Sequence, residues 1–153
     1  MQTTPKAIHI SVPAQQLLVK EGDAIIGSYP ISTSRYGLGT EDGSMKTPTG
    51  RFRIADKIGA DAPLGTVFRS RLPVGPVEDE PPDADLVLSR ILWLDGLEDH
   101  NANTRDRYIY IHGTNHEAKI GEPASHGCIR MKSSDLAELF EVVDVDTPVI
   151  IEA

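Results

Sequence analysis

Apolar runs in this chain are short and cut by Gly and Pro, and only one of them repeats at helical spacing. That restriction decides most of what the chain can fold into. The runs "AIHISV" (7–12), "QQLLVK" (15–20) and "AIIGSYPIST" (24–33) are rich in Val, Ile, Thr and Tyr, which suit a pleated, half-buried surface. Pro13 separates the first two and "EGD" turns the chain before the third, so two or three antiparallel strands with tight turns are the simplest arrangement. A loop marked by Gly37, Gly39 and Gly43 and the turn "TPTG" (47–50) precede "RFRIADKI" (51–58), which alternates with Phe52 and Ile54 on one face. "DLVLSRILWLDGL" (85–97) supplies one or two strands with "DG" as a turn. "RYIYIHG" (107–113) reads as a strand with Tyr108, Tyr110 and His112 on one face and Ile109 and Ile111 on the other. "TPVIIEA" (147–153) ends the chain as a further strand. The exception is "SSDLAELFEVVDVD" (133–146), where Leu136, Leu139, Phe140 and Val143 recur at helical spacing and Ser133 or Ser134 is available as a cap. The expected fold is mainly β, a single unit over residues 1–153 with one or two short helices.

The segment 73–85, "PVGPVEDEPPDAD", carries four prolines and five carboxylates. Proline removes a ladder donor, so a central strand is not expected there. It reads as a solvated surface loop, or as a lid or rim beside a site. Net charge is −8, which argues against nucleic acid, since phosphate binding needs a basic face, and against docking on anionic lipid. "MQTTPKAIHISVPAQQLL" lacks the basic start, apolar stretch and small-residue cleavage site of a secretory leader. No run approaches the length of a membrane helix. The expected location is cytoplasmic, or periplasmic if a leader has been removed. A single cysteine cannot form an internal disulfide.

That cysteine sits in "HGTNHEAKIGEPASHGCIRM" (112–131). Cys128 follows Ser125, His126 and Gly127, and His112 opens the stretch. A thiol becomes nucleophilic as thiolate, and its pKa of about 8.5 falls beside an imidazolium. His126, two residues before Cys128, shares a face with it if the segment is extended. His112, at the end of a strand, is returned to by the intervening loop, so either histidine can pair with the thiol. Gly127 permits a tight turn and close approach of substrate, and backbone N–H groups around Gly127 and Cys128 offer an oxyanion hole. The Gly113 carbonyl can orient an imidazole by accepting its N–H. An inert buried thiol is the plain alternative. Zinc is the sharper rival, since His112, His116, His126 and Cys128 are all possible ligands. However, "HGTNH" is a poor helix and lacks the glutamate of the helical metalloprotease motif. No metal or cofactor is expected. His9 and His100 read as surface or structural residues. In papain-like proteases the cysteine comes first and the histidine much later, the reverse of the order here.

"IHGT…IG…SHGCIRM", with "TPTG" upstream and a helix followed by "TPVII" downstream, resembles the catalytic domain of the L,D-transpeptidases (YkuD type), and the resemblance is weakest over 73–85. The resemblance implies a β-sandwich-like catalytic domain. It implies Cys128 as nucleophile, His112 as general base and acid, and the Gly113 carbonyl as its orienting group, where some relatives carry serine. Some relatives carry lysine in place of His126, which makes His126 a substrate- or oxyanion-side residue. Arg130 stands where many members have Asn, and its implied task is to hold a substrate carboxylate. Ser125 and Thr114 would line the site, and Tyr36 is a further candidate. The implied substrate is a peptidoglycan stem tetrapeptide or muropeptide. Cys128 would attack the bond between the diamino acid and terminal D-Ala, and the thioester would be resolved by an acceptor. Water gives L,D-carboxypeptidase activity; an amine gives a 3→3 cross-link. With no leader visible, the expectation is a carboxypeptidase of cell-wall recycling, with cross-linking or D-amino acid exchange as the alternative. A non-catalytic wall-binding module is a further reading.

Overall fold

The computed structural model describes residues 5–153, so the first four residues of the expected 1–153 unit lie outside it. These residues form ten strands: β1 (Lys6–Ser11), β2 (Gln16–Glu21), β3 (Ala24–Pro30), β4 (Gly50–Ile58), β5 (Thr66–Arg69), β6 (Leu72–Pro76), β7 (Val87–Gly96), β8 (Tyr110–Gly113), β9 (Ile129–Met131) and β10 (Pro148–Glu152). One α-helix, α1 (Ser133–Val142), and short 3-10 turns complete them. The fold is mainly β, as the alternating runs require.

The sheet order is β3-β2-β1-β10-β4-β7-β5-β6, and on a separate branch β8 pairs with β7 and β9 pairs with β8. The β1-β2-β3 meander is antiparallel, as expected from its tight turns. Two pairs are parallel, β1 with β10 and β8 with β9. Past β3 the chain reaches β9: Ser32 and Arg130 exchange backbone hydrogen bonds of 3.0 and 2.9 Å. The sheet therefore wraps over until its two ends meet, in a sandwich-like arrangement around one main core. Ile8 and Ile10 of β1, Phe52 and Ile54 of β4, Leu94 of β7 and Met131 of β9 are all essentially sealed from solvent in that core. Leu136, Leu139 and Phe140 of α1 close it, with the helix lying against β7 and β8.

Several local expectations are corrected. The segment from residue 73 is not all loop, because β6 carries Pro73 and Pro76. It pairs only with β5, and an edge position tolerates the missing donors. Residues 87–96 are one strand; "DG" ends it and does not split it. An added Cβ at Gly96 would lie 1.9 Å from the Asn101 carbonyl oxygen. The strand expected from 107 begins at Tyr110, because Tyr108 takes φ +57° and is half exposed. Neither Ser133 nor Ser134 caps α1 by its side chain. The Ser133 N–H donates instead to Glu117 Oε2 at 2.8 Å. The helix ends at Val142, short of 146.

Candidate active site

The position of His112 follows from its strand. On β8 it lies opposite Ile91 of β7 on one side and Arg130 of β9 on the other. Its ring is buried, and Nδ1 is 2.5 Å from the carbonyl oxygen of Gly113. A carbonyl can only accept, so Nδ1 carries the proton and Nε2 is left as the basic nitrogen. Gly113 also packs closely against its neighbours. A Cβ there would come within 2.6 Å of the Leu88 carbonyl oxygen, where β7 bulges at Ser89 (φ +76°).

Cys128 is the last residue before β9, and the parallel register of β8 and β9 carries its sulfur alongside β8. Its Sγ accepts the Tyr110 N–H at 3.3 Å, and its S–H points to the Tyr108 carbonyl at 3.3 Å. Gly127 makes the turn at φ +122°, a conformation L side chains rarely adopt. Ser125 fixes the same turn: its Oγ donates to the Cys128 carbonyl at 2.6 Å and accepts the Gly127 N–H at 3.3 Å. The Gly127 carbonyl accepts from Thr47 Oγ1 at 3.0 Å. Among the described residues the Cys128 N–H finds no acceptor, so of the two expected oxyanion donors it is the one left free.

His112, Cys128, Ser125, His126, Arg130 and Asp85 open on one cavity of about 120 Å³. Burial decides the protonation of the central pair. It pulls His112 down to about 4, against weaker opposing effects of the Gly113 hydrogen bond and the Asp85 charge. It pushes Cys128 up to about 11, against the Tyr110 N–H and the charges of Arg130 and Arg107. The resting pair near neutrality is therefore a thiol and a neutral imidazole. The lowered thiol pKa expected from proximity to an imidazolium is absent, because desolvation penalises both charged forms.

Asp85 joins the remaining residues. Its Oδ2 lies 2.9 Å from His126 Nδ1, and its Oδ1 accepts from Arg130 Nη2 at 2.8 Å. The Arg130 side chain is only 4% exposed. The carboxylate it holds here is thus the chain's own. Tyr36 lies at the rim, its ring centroid 5.9 Å from that of His126. Thr114 is buried with its Oγ1 accepting the His116 N–H at 3.0 Å, and it does not line the cavity. His112 is on a strand and His116 begins a 3-10 turn, so the two do not share a helix face. Among the described residues, no three His, Cys, Asp or Glu side chains gather as a metal-holding group.

Two residues of this neighbourhood escape sequence reasoning. Asp85 is one of five carboxylates in an acidic segment, with nothing local to single it out. Arg107 is the other: its guanidinium donates to the Gly39 carbonyl at 3.3 Å and the Lys46 carbonyl at 2.7 Å, tying down the glycine-marked loop beside the Gly127 turn. A wider groove of about 800 Å³ adjoins the cavity, and Arg35, Asp83, Lys119, Glu122, Asp85 and His126 are among the residues lining it.

A buried imidazole tied to its neighbouring carbonyl, sharing a cavity with a cysteine on a wrapped mainly-β sheet, defines a cysteine–histidine protein of β architecture. The chain belongs to the family of L,D-transpeptidase catalytic domains (YkuD), whose family model matches residues 5–151. It is 30% identical over 149 residues to YkuD of Bacillus subtilis, covering 97% of this chain and 67% of that protein. It is 32% identical over 137 residues to YqjB of Bacillus subtilis, covering 89% and 65%. Among solved structures, an L,D-transpeptidase from Mycobacterium smegmatis matches with a TM-score of 0.62 at 19% identity, covering 97% of this chain and 59% of that one. One from Xylanimonas cellulosilytica matches with a TM-score of 0.64 at 18% identity, covering 99% and 62%. These likenesses show the fold. The chain spans about two thirds of the curated relatives and about three fifths of the solved chains. Among the described residues no helix is long and apolar enough to cross a membrane.

Proposed function

We propose that this chain catalyses acyl transfer on peptidoglycan stem tetrapeptides, cleaving the bond before terminal D-Ala through a thioester on Cys128. The observation that carries this reading is the shared cavity of Cys128 and His112, with the imidazole held by Gly113 so that Nε2 is the basic nitrogen. The neutral His112 takes the thiol proton as sulfur attacks the carbonyl. The free Cys128 N–H stabilises the oxyanion, and His112 then passes the proton to the departing amine. His126 and Gly127 flank this substrate side, Ser125 holds the turn, and Arg130, already paired with Asp85, fixes that carboxylate beside His126 in place of the substrate carboxylate expected of it. Tyr36 contributes to the rim. Thr114, which sits off the cavity, supports the chain around His116.

Water is the proposed acceptor. The inner cavity, about 120 Å³, admits water but leaves little room for a second peptide. The product is then a tripeptide, as in the turnover of soluble stem peptides within the cell. A second reading, transfer to an amine, is favoured by the open groove of about 800 Å³ beside the cavity, which has room for a second peptide. The test is incubation with a soluble tetrapeptide, with and without a D-amino acid, read by mass spectrometry. Tripeptide and free D-Ala, little changed by the D-amino acid, are expected. An exchanged product would make the chain a transpeptidase. Loss of turnover in Cys128→Ala is expected in either case, and an active Cys128→Ala would overturn the thioester reading.

A further inference from the structure

The two histidines of the cavity are held in different ways. Peptide carbonyl Gly113 holds His112, which is buried and opens only on the inner cavity. A carboxylate, Asp85, holds His126 at 2.9 Å, and the His126 side chain is 38% exposed. An imidazole whose Nδ1–H is accepted by a carboxylate is held in the tautomer and orientation that leave Nε2 free to accept a proton. Asp85 is itself fixed. Its other oxygen accepts from Arg130, and turning it away would strand a nearly buried guanidinium without a partner. His126 also belongs to both spaces, lining the inner cavity with Cys128 and the wide groove, whereas His112 does not line the groove. A second substrate arriving through the groove therefore meets His126 first.

We propose that His126 and Asp85 form a second acid–base dyad serving the second half of the reaction, His126 as the base for the acceptor and Asp85 as its positioning residue. The inference rests on the reading of Cys128 as the acyl carrier. In this step the acceptor O–H or N–H bond breaks and its proton goes to His126 Nε2. The freed electron pair bonds to the thioester carbonyl carbon. When the tetrahedral intermediate collapses, the C–S bond breaks and its electron pair stays on Cys128 Sγ. The proton on His126 passes to that sulfur, restoring a thiol and a neutral imidazole. His112 is left to the first half, moving the thiol proton to the leaving amine.

The experiment follows the intact mass of the whole chain, with the release of D-Ala, after rapid mixing with a soluble stem tetrapeptide. In His126→Gln the first equivalent of D-Ala is released, the acyl-enzyme accumulates, and steady turnover falls about 100-fold or more, within the usual worth of a general base. Asp85→Asn follows the same pattern more weakly, and Asp85→Glu recovers part of the loss. His112→Gln releases no first equivalent. Hydroxylamine, a nucleophile that needs no base, discharges the His126→Gln acyl-enzyme as fast as it discharges the wild type. Loss of the first equivalent in His126→Gln, unchanged turnover, or a thioester that resists hydroxylamine would overturn the dyad. If no acyl group is found on Cys128 in any variant while Cys128→Ala still turns over, the thioester reading itself has failed.

Discussion

Cys128 and His112 line one cavity in protonation states set by what surrounds them, and not by their ordinary pKa values. Both lose water, so the thiol is held up to about 11 and the imidazole down to about 4. A thiol below its pKa reacts through the small thiolate fraction, which grows tenfold per pH unit. Alkylation of Cys128 by iodoacetamide is therefore expected to be slow at pH 7 and to rise about tenfold per unit toward pH 10. A rate already high and flat at pH 6 would mean a preformed thiolate–imidazolium pair. Neighbours matter at this scale too. The short stretch Ser125–Cys128 makes sense only with Ser125 Oγ bridging the Cys128 carbonyl and the Gly127 N–H, which holds the turn that presents the sulfur.

Elements here are tied across long stretches of chain. The start of α1 is the clearest case, because its first turn is satisfied by Glu117, sixteen residues before Ser133, on the connection that joins β8 to β9. A carboxylate accepting a helix N-terminal N–H combines capping with a favourable interaction with the helix dipole. Glu117→Ala is expected to lower stability by about 1 kcal/mol, read from urea unfolding midpoints, whereas Ser134→Ala is expected to change little. Equal effects of the two would return the cap to the serine. The same tie fixes one end of the loop leading to Cys128, so the helix and the site share a support. β5 and β6 illustrate what local reading misses. Their hairpin turns through Ser70 and Arg71 at φ +49° and +66°, without the Asn-Gly or Asp-Gly pair that usually announces such a turn.

Across the whole molecule, a neutral imidazole sealed into the sheet couples folding to pH. The folded value of His112, about 4, lies below its ordinary 6.5, so the unfolded chain takes up a proton between those values that the folded chain refuses. This contribution is fully present above pH 6.5 and is lost as pH falls from 6.5 to 4. It amounts to about 3 kcal/mol at 1.36 kcal/mol per unit. His112→Gln is expected to flatten the pH dependence of unfolding free energy over that window by an amount of this order. An unchanged slope would mean that His112 takes up its proton equally in the folded and unfolded chain. The acid sensitivity is the consequence of placing a base inside a wrapped sheet, where His112 is only 4% exposed.

The sequence by itself determined the mainly-β class, the single helix and the meander at the N-terminus, and it singled out Cys128 with two candidate histidines and a glycine turn before it. These are matters of spacing, alternation and residue type, which act over a few residues or through a motif. It left open which histidine the acidic segment holds and in what state the thiol rests. It did not show that β9 exists as a strand, or that the sheet closes on itself through Ser32 and Arg130, 98 positions apart. Only the tertiary structure decided these. A three-residue strand has no periodicity of its own, one carboxylate among five has no local signature, and desolvation depends on everything packed around a group. Asp85, 45 positions from Arg130, becomes part of the site because the fold carries an acidic segment to a buried cation.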